Sequence, residues 1–505
     1  MAELKGAGDR PFPPGDYPVV VVGSGPGGLQ ASSALRAAGV DHAVISADDE
    51  PAGMFRWFPF FQRLVTWTKP HAPVERGTRA YEWYDWNSLL AEVSEAQALV
   101  AAEMDGTSYF PSRAEMERGI RAFAARTGLR VRTGCRWEAT RRDRDGRIAL
   151  LTADGEYRCR AAVFAVGMTV PWKPSIPGLE DVPHYVDTRP ASEYADKRVF
   201  VIGKRNSGFE LADGLLPWAS RIVLASPRPA RLSVLARSTA AARARYLQPY
   251  EDHVLGGGTF VLDAAIERVE RTSAGGYRIH AAGTTRPGVL VVEADACLAG
   301  TGFTTPLGDL PEQLGVAVFS QGRLPAQTPY WESASAPGVF FAGSATQGSI
   351  GLKKYGIPSN SAAVHGFRYN ARVLAEHLAR SVLGLERPRP AVHRDEVVGY
   401  LLGEASTAPE LWNQQSYLAR VLTFSPEWGI LDEGIRPVAA FVDEDGPEAV
   451  AVTVETDGTG DIHPAVYVRR AGRVEEHLLP SDPLLDFATA EHRASLTGAL
   501  GGLVG

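Results

Sequence analysis

A glycine-rich turn between two apolar runs, within the stretch from Tyr17 to Asp48, constrains the fold more than any other part of the chain. Residues 19–22 are four consecutive valines, which is typical of a strand buried on both faces of a parallel sheet. A helix-forming run leads to Gly39, which suits the C′ position of a helix, and residues 40–45 read as a second strand. The pattern predicts a βαβ unit that binds a dinucleotide; the alternative is a tight βα turn without a ligand.

The turn has the spacing Gly-x-Gly-x-x-Gly, and each of its glycines has a separate role. Gly23 allows the tight turn, Gly25 lets the backbone approach a pyrophosphate, and Gly28 lets the helix pack closely on the strand. The pyrophosphate would lie at the N-terminus of the helix, where free N–H groups and the helix dipole favour negative charge. The predicted dinucleotide contacts in this turn are Gly23, Gly25, Pro26, Gly27 and Gly28.

The position that should bind the ribose departs from the fingerprint. An acidic residue usually ends the second strand and accepts hydrogen bonds from the ribose hydroxyls, but Ser46 stands there. Asp48 follows two residues later. The ribose ligand is therefore either Ser46, through its hydroxyl, or Asp48, if the strand is slightly longer than its apolar run.

A second strand, glycine turn, helix and strand follow at residues 198–202, 203–208, 209–216 and 221–225. Arg205 stands at the place of the middle glycine, where its side chain either clamps a phosphate or swings outward; a degenerate site is the alternative. Basic residues after the last strand suit the 2′-phosphate of NADPH better than NADH, unless they form a solvated loop. The predicted contacts are Gly203, Arg205, Asn206, Ser207, Gly208, Ser226, Arg228 and Arg231.

Composition excludes several classes of function. A net charge of −7 over 505 residues argues against a generic nucleic-acid surface. The three cysteines, Cys135, Cys159 and Cys297, are far apart in sequence, which excludes a disulfide framework and a C-x-x-C redox pair and favours a reducing compartment. No apolar run reaches the length of a membrane span, and the first 16 residues lack a signal-peptide core. We therefore expect a cytoplasmic protein with a flexible N-terminal arm.

The remaining patterns complete an α/β architecture with two Rossmann-like units. They predict a helix over 112–127 with a capping box of Ser112 and Glu115, strands within 129–131, 137–151 and 161–166, and a helix over 361–383. Beyond residue 386 a helix at 394–402 and strands at 438–442, 449–455 and 465–474 indicate a small α+β appendage without metal-ligand spacing. The predicted domains are an arm (1–16), a first dinucleotide domain (17–172 and 290–385), an inserted second one (173–289) and the appendage (386–505).

In combination, these features resemble the flavoproteins with two dinucleotide-binding domains, which include class B flavin monooxygenases, lysine and ornithine N-hydroxylases and thioredoxin-reductase-like enzymes. Within this superfamily the chain is most similar to the FAD-dependent oxidoreductase-domain-containing proteins and their bacterial relatives. The stretches that carry the resemblance are Tyr84–Leu90, Tyr109–Pro111, Asn206–Glu210 and His365–Tyr369, together with glycine turns at Gly167, Gly302 and Gly343. The resemblance implies FAD on the first fingerprint, with Gly343, Ser344 and the helix from Ser361 closing over the flavin end.

Two activities of this superfamily are disfavoured by the sequence. Baeyer–Villiger enzymes carry an F-x-G-x-x-x-H motif between the nucleotide domains, whereas here Asp187 stands nearest to the place of the histidine. Disulfide reduction is disfavoured more strongly, because no two cysteines are paired in sequence. Neither the superfamily resemblance nor the residues name a catalytic acid or base.

The aromatic segment over residues 54–90 has little periodicity, which favours a cofactor-lining or substrate-lining role over simple core packing. The candidate flavin-pocket residues, with a solvated or structural role as the alternative for each charged one, are Arg56, Trp57, Lys69, Asn87, Lys353, Lys354 and His365.

The expected activity is NADPH-dependent monooxygenation of a small molecule by FAD and oxygen, with a nitrogen centre as one candidate. The first alternative is an FAD-dependent oxidase or dehydrogenase that binds no NADPH, which Arg205 would explain. The second is a flavoprotein that acts mainly through a protein partner bound by the C-terminal appendage. A homodimer is left open.

Overall fold

The computed structural model describes residues 10–57, 59, 63–230, 244–349, 351 and 359–503. These residues form three large sheets, each with helices packed against it, and two short two-stranded ribbons. Two of the large sheets contain a parallel half and follow the Rossmann pattern, while the third is antiparallel. The predicted fold class, two Rossmann-like units with a C-terminal α+β part, is confirmed.

The first sheet has the strand order β2-β1-β5-β4-β3, and its strands β2, β1 and β5 are parallel. Val19, Val20 and Val21 have no exposed surface, as expected of a strand covered on both faces. Strands β4 and β3 continue the sheet as an antiparallel hairpin. The elements of this region are β1 (Gly15–Val22), α1 (Pro26–Ala37), β2 (His42–Ile45), α2 (Leu99–Glu103), α3 (Arg113–Thr127), β3 (Trp137–Arg142), β4 (Ile148–Thr152) and β5 (Gly155–Phe164).

The second sheet has the order β11-β10-β9-β8-β7-β12, in which β12, β7, β8 and β9 are parallel. Strands β10 and β11 extend it in antiparallel fashion. The predicted second βαβ unit is therefore present in full. Its elements, after the short strand β6 (Val170–Pro171), are β7 (Arg198–Ile202), α4 (Asn206–Leu215), β8 (Arg221–Ser226), α5 (Ala244–Leu255), β9 (Thr259–Arg271), β10 (Tyr277–Gly283), β11 (Val289–Ala294) and β12 (Ala296–Ala299).

The chain then returns to the first sheet, where its last strand pairs in parallel with the second half of β5. The outward and return crossings pair with each other as an antiparallel ribbon of Val170–Pro171 and Phe303–Thr304. The last helix of this region packs on α1 through Tyr369 and Val373. The elements are β13 (Phe303–Thr304), α6 (Leu310–Gln313), β14 (Val318–Phe319), β15 (Leu324–Pro325), β16 (Val339–Phe341) and α7 (Val364–His377).

The C-terminal part is a five-stranded antiparallel sheet in the order β18-β17-β19-β20-β21, covered on both faces. Helices α8 and α11 bury Leu401 and Leu496 against one face, and α10 buries Phe441 against the other. Its elements are α8 (Val397–Thr407), α9 (Pro409–Asn413), β17 (Leu418–Ser425), β18 (Gly429–Pro437), α10 (Val438–Asp443), β19 (Ala449–Thr456), β20 (Ile462–Arg470), β21 (Arg473–Leu478) and α11 (Ala490–Leu500).

Several predicted elements differ from the structure. The predicted strand at 438–442 is wrong, because these residues form helix α10, in which Val438 and Phe441 lie one turn apart and face the sheet together. The predicted strand at 465–474 is two strands that turn at Ala471 and Gly472, both with positive φ. Strands β17 and β18 were not predicted. Residues 129–131 form no strand, and the nearest pairing is a single bridge between Ile45 and Arg132. Helix α7 begins at Val364, three residues after the predicted start at Ser361.

The C-terminal part is joined to the short helical turn of Arg79–Trp83 by ion pairs whose carboxylates are buried. Arg79 pairs with Glu404 and with Glu410, each at 2.8 Å. Burial alone would raise the pKa of Glu404, but hydrogen bonds from Arg79 and the charge of Arg420 hold it below its ordinary value. Removing Arg79 would leave two buried carboxylates without this partner, so these contacts fix how the two parts dock.

A cavity of about 410 Å³ lies beside this junction, between α7 and strand β18. Its wall includes His377, whose ring stacks on Tyr330 with 4.1 Å between centroids. Burial, and secondly the charge of Arg436, lower the pKa of His377 to about 4.

In the part of the chain that the structure describes, no helix is long and apolar enough to cross a bilayer. The described residues also contain no cluster of three His, Cys, Asp or Glu side chains suited to a metal ion.

The depressed pKa of His377 predicts a pH-dependent stability. Because the folded-state pKa of about 4 lies below the ordinary value of 6.5, protonation favours the unfolded chain, and stability falls as the pH drops through this window. Between pH 7 and pH 5 this residue should cost about 2 kcal/mol of unfolding free energy. His377→Phe keeps a ring against Tyr330 and should lose this contribution, as measured by urea unfolding at both pH values.

The exposed His393 offers a control, because His393→Phe should leave the pH dependence of the wild type unchanged. Parallel stability profiles for the wild type and His377→Phe between pH 7 and pH 5 would contradict the prediction.

Candidate functional site

Four backbone segments meet at the carboxyl ends of the parallel strands of the first sheet. A Cβ on Gly23 would lie 2.6 Å from the carbonyl oxygen of Ala165, at the end of β5. A Cβ on Gly27 would overlap the backbone of Gly343, which follows β16, and one on Gly28 would overlap the carbonyl of Gly23. Only glycine allows this approach, so the first fingerprint forms a cradle made of backbone.

The N-terminus of α1 opens into this cradle without an internal cap. Gly25 is the N-cap residue, no side chain bonds to the first N–H groups, and the first turn contains no acidic residue. Gly53 has a φ of +56° and lies close enough that its Cβ would be 2.9 Å from the Cα of Gly25. These features fit a pyrophosphate, because the first N–H groups of α1 have no side-chain cap and the helix dipole favours negative charge there.

The ribose position is occupied by two hydroxyls and a carboxyl group. Ser46 is buried, and its Oγ accepts hydrogen bonds from the Ser24 hydroxyl at 2.8 Å and the Asp48 N–H at 3.2 Å. Asp48 is half-buried, and burial raises the pKa of its carboxyl group. Both sequence candidates therefore lie at the end of β2, and the assignment of the ribose between them stays a prediction.

Arg56 and Trp57 lie just outside this position. Arg56 forms an ion pair with the exposed Asp49, and its guanidinium lies 5.6 Å from the centroid of the Trp57 ring, which is 65% exposed. Arg56 also lies near Asp48, because its positive charge opposes the rise of that carboxyl group's pKa.

The opposite wall is formed by the turns that follow β5 and β16. Gly167 has a φ of +71°, and its Cβ would lie 3.9 Å from the Ser344 Oγ. The turn of Gly343–Gly348 is held by Thr346, whose hydroxyl donates to the Gly343 carbonyl at 2.7 Å. The predicted contacts Gly167, Gly343 and Ser344 are thereby brought together on one side of the cradle.

An aromatic stack extends from this wall. The Trp86 ring stacks on two neighbours. Its centroid lies 3.7 Å from that of Trp67 and 4.6 Å from that of His365. His365 and Trp86 are buried, so water has little access to this layer. The arrangement suits the lining of a flat ligand or of a dry reaction pocket.

Two of the candidate residues in this region make contacts with neighbouring side chains of the same loop. Asn87 is buried and donates to the Thr68 hydroxyl at 3.0 Å and to the Thr66 carbonyl at 3.2 Å. Lys69 is exposed and lies over the Tyr84 ring. The candidates Lys353 and Lys354 lie outside the described residues.

A buried arginine that the sequence did not reveal fixes this loop. Arg368, in α7, has no exposed surface and donates to the carbonyl oxygens of Asp85, Ser88 and Glu82. It also donates to the Tyr369 hydroxyl at 2.9 Å, which in turn donates to Glu82. Two of the four stretches that carried the family resemblance, 84–90 and 365–369, are thus bonded to each other.

Two residues of the C-terminal part also reach the wall of the site. Gln414 donates to the Asn370 side-chain oxygen at 2.6 Å and to the Ser361 hydroxyl at 3.0 Å. Tyr417 donates to the Ser349 hydroxyl at 2.6 Å. The only sequence signal around Gln414 and Tyr417 comes from apolar neighbours, which indicate a core. The contacts of these two residues with the site could therefore be found only from the structure.

The second fingerprint repeats the backbone cradle at the carboxyl ends of β7 and β12. A Cβ on Gly203 would overlap the carbonyl of Gly300, and one on Gly208 would overlap the carbonyl of Gly203. Lys204 points inward and forms a buried ion pair with Asp263, which lowers the pKa of that carboxyl group.

The other predicted contacts of the second site lie around this cradle. Arg205 is the exposed N-cap residue of α4, followed by Asn206 and Ser207 in its first turn. Ser226 ends β8, and the exposed Arg228 follows it. Gly302, with a φ of +94°, lies on the return crossing, and Arg231 lies outside the described residues.

Comparison with known proteins places both cradles in one family. Residues 20–343 match the model of the pyridine nucleotide-disulphide oxidoreductase family. A similar curated protein is the FAD-dependent oxidoreductase domain-containing protein 2 of Mus musculus, 25% identical over 440 residues. That alignment covers 80% of this chain and 64% of the mouse protein, so this chain spans under two thirds of its relative.

Solved structures with the same fold include both reductases and oxygenases. The bacillithiol disulfide reductase of Bacillus cereus is 19% identical, with a TM-score of 0.52, covering 72% of this chain and 99% of its own. The flavin-containing monooxygenase of Stenotrophomonas maltophilia is 20% identical, with a TM-score of 0.52, covering 73% of this chain and 99% of its own. At this level of identity the likeness establishes the fold, and the reaction has to be argued from the site.

The first cradle predicts how flavin content depends on Gly25. A Cβ at this position would be 3.8 Å from the nearest protein atom, so the protein alone has room for a side chain. A bound pyrophosphate, which lies against the backbone here, would clash with that side chain. We expect wild-type protein to be yellow, with one FAD per chain, and Gly25→Val to be folded but colourless. The measurement is flavin absorbance against protein concentration after gel filtration.

Gly28→Ala is the matched contrast, because its Cβ would overlap the protein backbone and should prevent folding as well as binding. Normal flavin content in a soluble Gly25→Val variant would refute the assignment of the first fingerprint.

Proposed function

Because the chain belongs to the pyridine nucleotide-disulphide oxidoreductase family, we propose that it is an FAD-dependent monooxygenase, reduced by NADPH, that hydroxylates a small molecule. The observation that carries the proposal is the pair of cradles built from closely approaching backbone, one at each parallel sheet of a single chain. One cradle would hold FAD and the other the nicotinamide dinucleotide. A nitrogen centre is the first substrate class to test.

The residues of the first cradle would hold FAD by its pyrophosphate and ribose. The N–H groups at the start of α1 would bind the pyrophosphate, and Ser46 or Asp48 would bind the ribose hydroxyls. When bound, FAD supplies a hydride acceptor and, once reduced, a centre that reacts with oxygen. The similarity to a mouse protein named for an FAD-dependent oxidoreductase domain supports this choice of cofactor.

The chain's own contribution to the chemistry would be position and dryness. Trp86 and His365 form a buried layer, and Arg368 holds the loop that carries Trp86 through three backbone carbonyls. A rigid, water-poor wall favours transfer of oxygen to a substrate over the release of hydrogen peroxide. Glu82 and Tyr369 are bonded to each other behind this wall, and burial raises the pKa of Glu82.

The positions of the cysteines argue against dithiol chemistry, despite the name of the family. Cys135, Cys159 and Cys297 are all free and buried. Burial raises the pKa of the Cys159 and Cys297 thiols to about 12, so neither is a thiolate near neutral pH. A disulfide substrate would therefore meet no accessible nucleophilic sulfur of this chain.

An oxidase or dehydrogenase that does not bind NADPH is the second candidate, and Arg205 is the observation that favours it. Its bulky side chain stands where a glycine usually lets the pyrophosphate approach the backbone. The two candidates differ in whether a nicotinamide dinucleotide reduces the flavin, so that measurement comes first.

We predict that NADPH reduces the flavin faster than NADH, because Arg228 follows β8 where the 2′-phosphate would lie. Arg228→Ala should remove a charge-assisted bond of about 1.5–3 kcal/mol and with it most of the preference. The measurement is anaerobic stopped-flow reduction with both coenzymes.

Arg221→Ala is the control, since Arg221 lies at the opposite end of the same strand and should not affect the preference. An unchanged preference in Arg228→Ala would assign Arg228 to the solvated surface. No reduction of wild-type flavin by either coenzyme would favour the oxidase candidate.

We also predict that, with a suitable amine, most of the NADPH consumed under air appears as hydroxylated product and little as hydrogen peroxide. Trp67→Ala should raise the peroxide fraction several-fold, because it opens the stack on Trp86 to water. Trp83→Ala is the control, since Trp83 contacts the C-terminal part at Thr407. Complete conversion of NADPH to peroxide with every amine tested would argue against the monooxygenase.

A further inference from the structure

Arg323 is an interdomain arginine that the fingerprint patterns do not include. It lies in the hairpin of β14 and β15, directly after three residues with positive φ, Ser320, Gln321 and Gly322. The hairpin packs on the wall of the first cradle, where Gln327 donates to the Ala345 carbonyl at 2.7 Å. Arg323 therefore belongs to the first sheet's side of the molecule.

The side chain of Arg323 extends over the ribbon that links the two nucleotide units. Its Nε donates to the Phe303 carbonyl at 2.9 Å, and its guanidinium lies 4.7 Å from the centroid of the Trp172 ring. A Cβ on Gly302 would lie 2.9 Å from the Nη2 atom of Arg323, so the glycine at this position leaves room for the guanidinium. Stacking and the hydrogen bond hold the planar group in one orientation.

The second unit brings Arg205 close to this position. Arg205 caps α4 beside the contact of Gly203 with Gly300, two residues before the glycine, Gly302, against which Arg323 lies. Burial, and secondly the positive charge of Arg205, lower the pKa of Arg323. Within the described ranges, neither arginine forms an ion pair with a carboxylate. Lys204 differs, because Asp263 neutralises it. Two neighbouring cations without a counter-ion repel each other, and an anion placed between them would remove that repulsion.

The anion expected at this place is the pyrophosphate of a dinucleotide. Arg205 caps α4, where the fingerprint puts the pyrophosphate, whereas the 2′-phosphate would lie after β8, beside Ser226 and Arg228. A pyrophosphate carries two negative charges and several oxygens, which matches two planar guanidinium groups.

We propose that Arg205 and Arg323 together bind the pyrophosphate of the nicotinamide dinucleotide, one from each unit, in place of the close backbone contact that a middle glycine provides. The inference rests on the proposed use of NADPH and adds a residue outside both fingerprints. Binding would also join the β14–β15 hairpin to the second cradle, so that the coenzyme fixes the two units relative to each other.

The test is titration calorimetry of the FAD-loaded protein with NADP⁺ and with NAD⁺, which share the pyrophosphate and differ in the 2′-phosphate. Arg323→Gln and Arg205→Gln should each weaken both coenzymes by the same factor, roughly tenfold or more. Arg228→Ala should weaken NADP⁺ alone. Arg144→Gln, which removes an exposed charge from the β3–β4 turn, should change neither affinity.

Flavin absorbance and the thermal midpoint show whether each variant is folded, and Arg323→Lys, which keeps the charge but loses the planar stack, should give an intermediate affinity. Affinities within twofold of wild type in Arg323→Gln would overturn the inference while leaving NADPH use intact. Loss of NADP⁺ binding alone in that variant would also overturn it, because Arg323 would then bind the 2′-phosphate.

Arg205→Gly separates this inference from failure of the proposed function. If Arg205 is part of the site, the glycine variant should bind both coenzymes more weakly than wild type. If wild-type protein binds neither coenzyme and Arg205→Gly gains binding, Arg205 blocks the site, and both the inference and the NADPH part of the proposed function fail.

Discussion

The approach of backbone to backbone at the carboxyl ends of the parallel strands is the constraint on which the rest of the structure depends. Gly23 against Ala165, and Gly27 against Gly343, leave no volume for a Cβ. These contacts bring together segments that are far apart in sequence, because β16 returns to β5 only after the whole second unit. The cradle therefore exists only when the first sheet is complete, which ties dinucleotide binding to the folding of both halves.

The elements that could be predicted from the sequence are those whose pattern is local. The two βαβ units follow from apolar runs and glycine spacing, and the capping box is present as expected, with Glu115 accepting from the Ser112 N–H at 2.7 Å. Strand β18 escaped prediction because its face is polar: Glu433 is buried there and accepts hydrogen bonds from Arg389 and Arg436. An acidic residue inside a strand is taken for a surface residue until its partners are known, and Arg389 lies 44 residues away in sequence.

The same distinction applies to the site. The glycines of both cradles could be assigned from spacing, since their role depends on the backbone alone. Arg368, Gln414 and Tyr417 could not, because each acts on a segment more than 40 residues away. Asn87 is the opposite example. The sequence makes it a candidate for the flavin pocket, but its side chain bonds to Thr66 and Thr68 and so joins two parts of the same loop.

The distribution of charge joins these observations. Most arginines at the junctions of the molecule are neutralised within the chain, as Arg79 is by Glu404 and Glu410. These pairs join the turn of Arg79 to the C-terminal part, which through Gln414 and Tyr417 is a fixed component of the site's wall.

Arg205 and Arg323 differ from that pattern, since among the described residues no carboxylate pairs with either of them. A chain with a net charge of −7 thus keeps a local positive potential beside its second cradle. Such a potential concentrates anions at the crossing between the two units and speeds their association. The crossing is also where Phe303 and Trp172 hold Arg323 in place, so the charge that attracts a ligand is fixed to the segment by which the two units are joined.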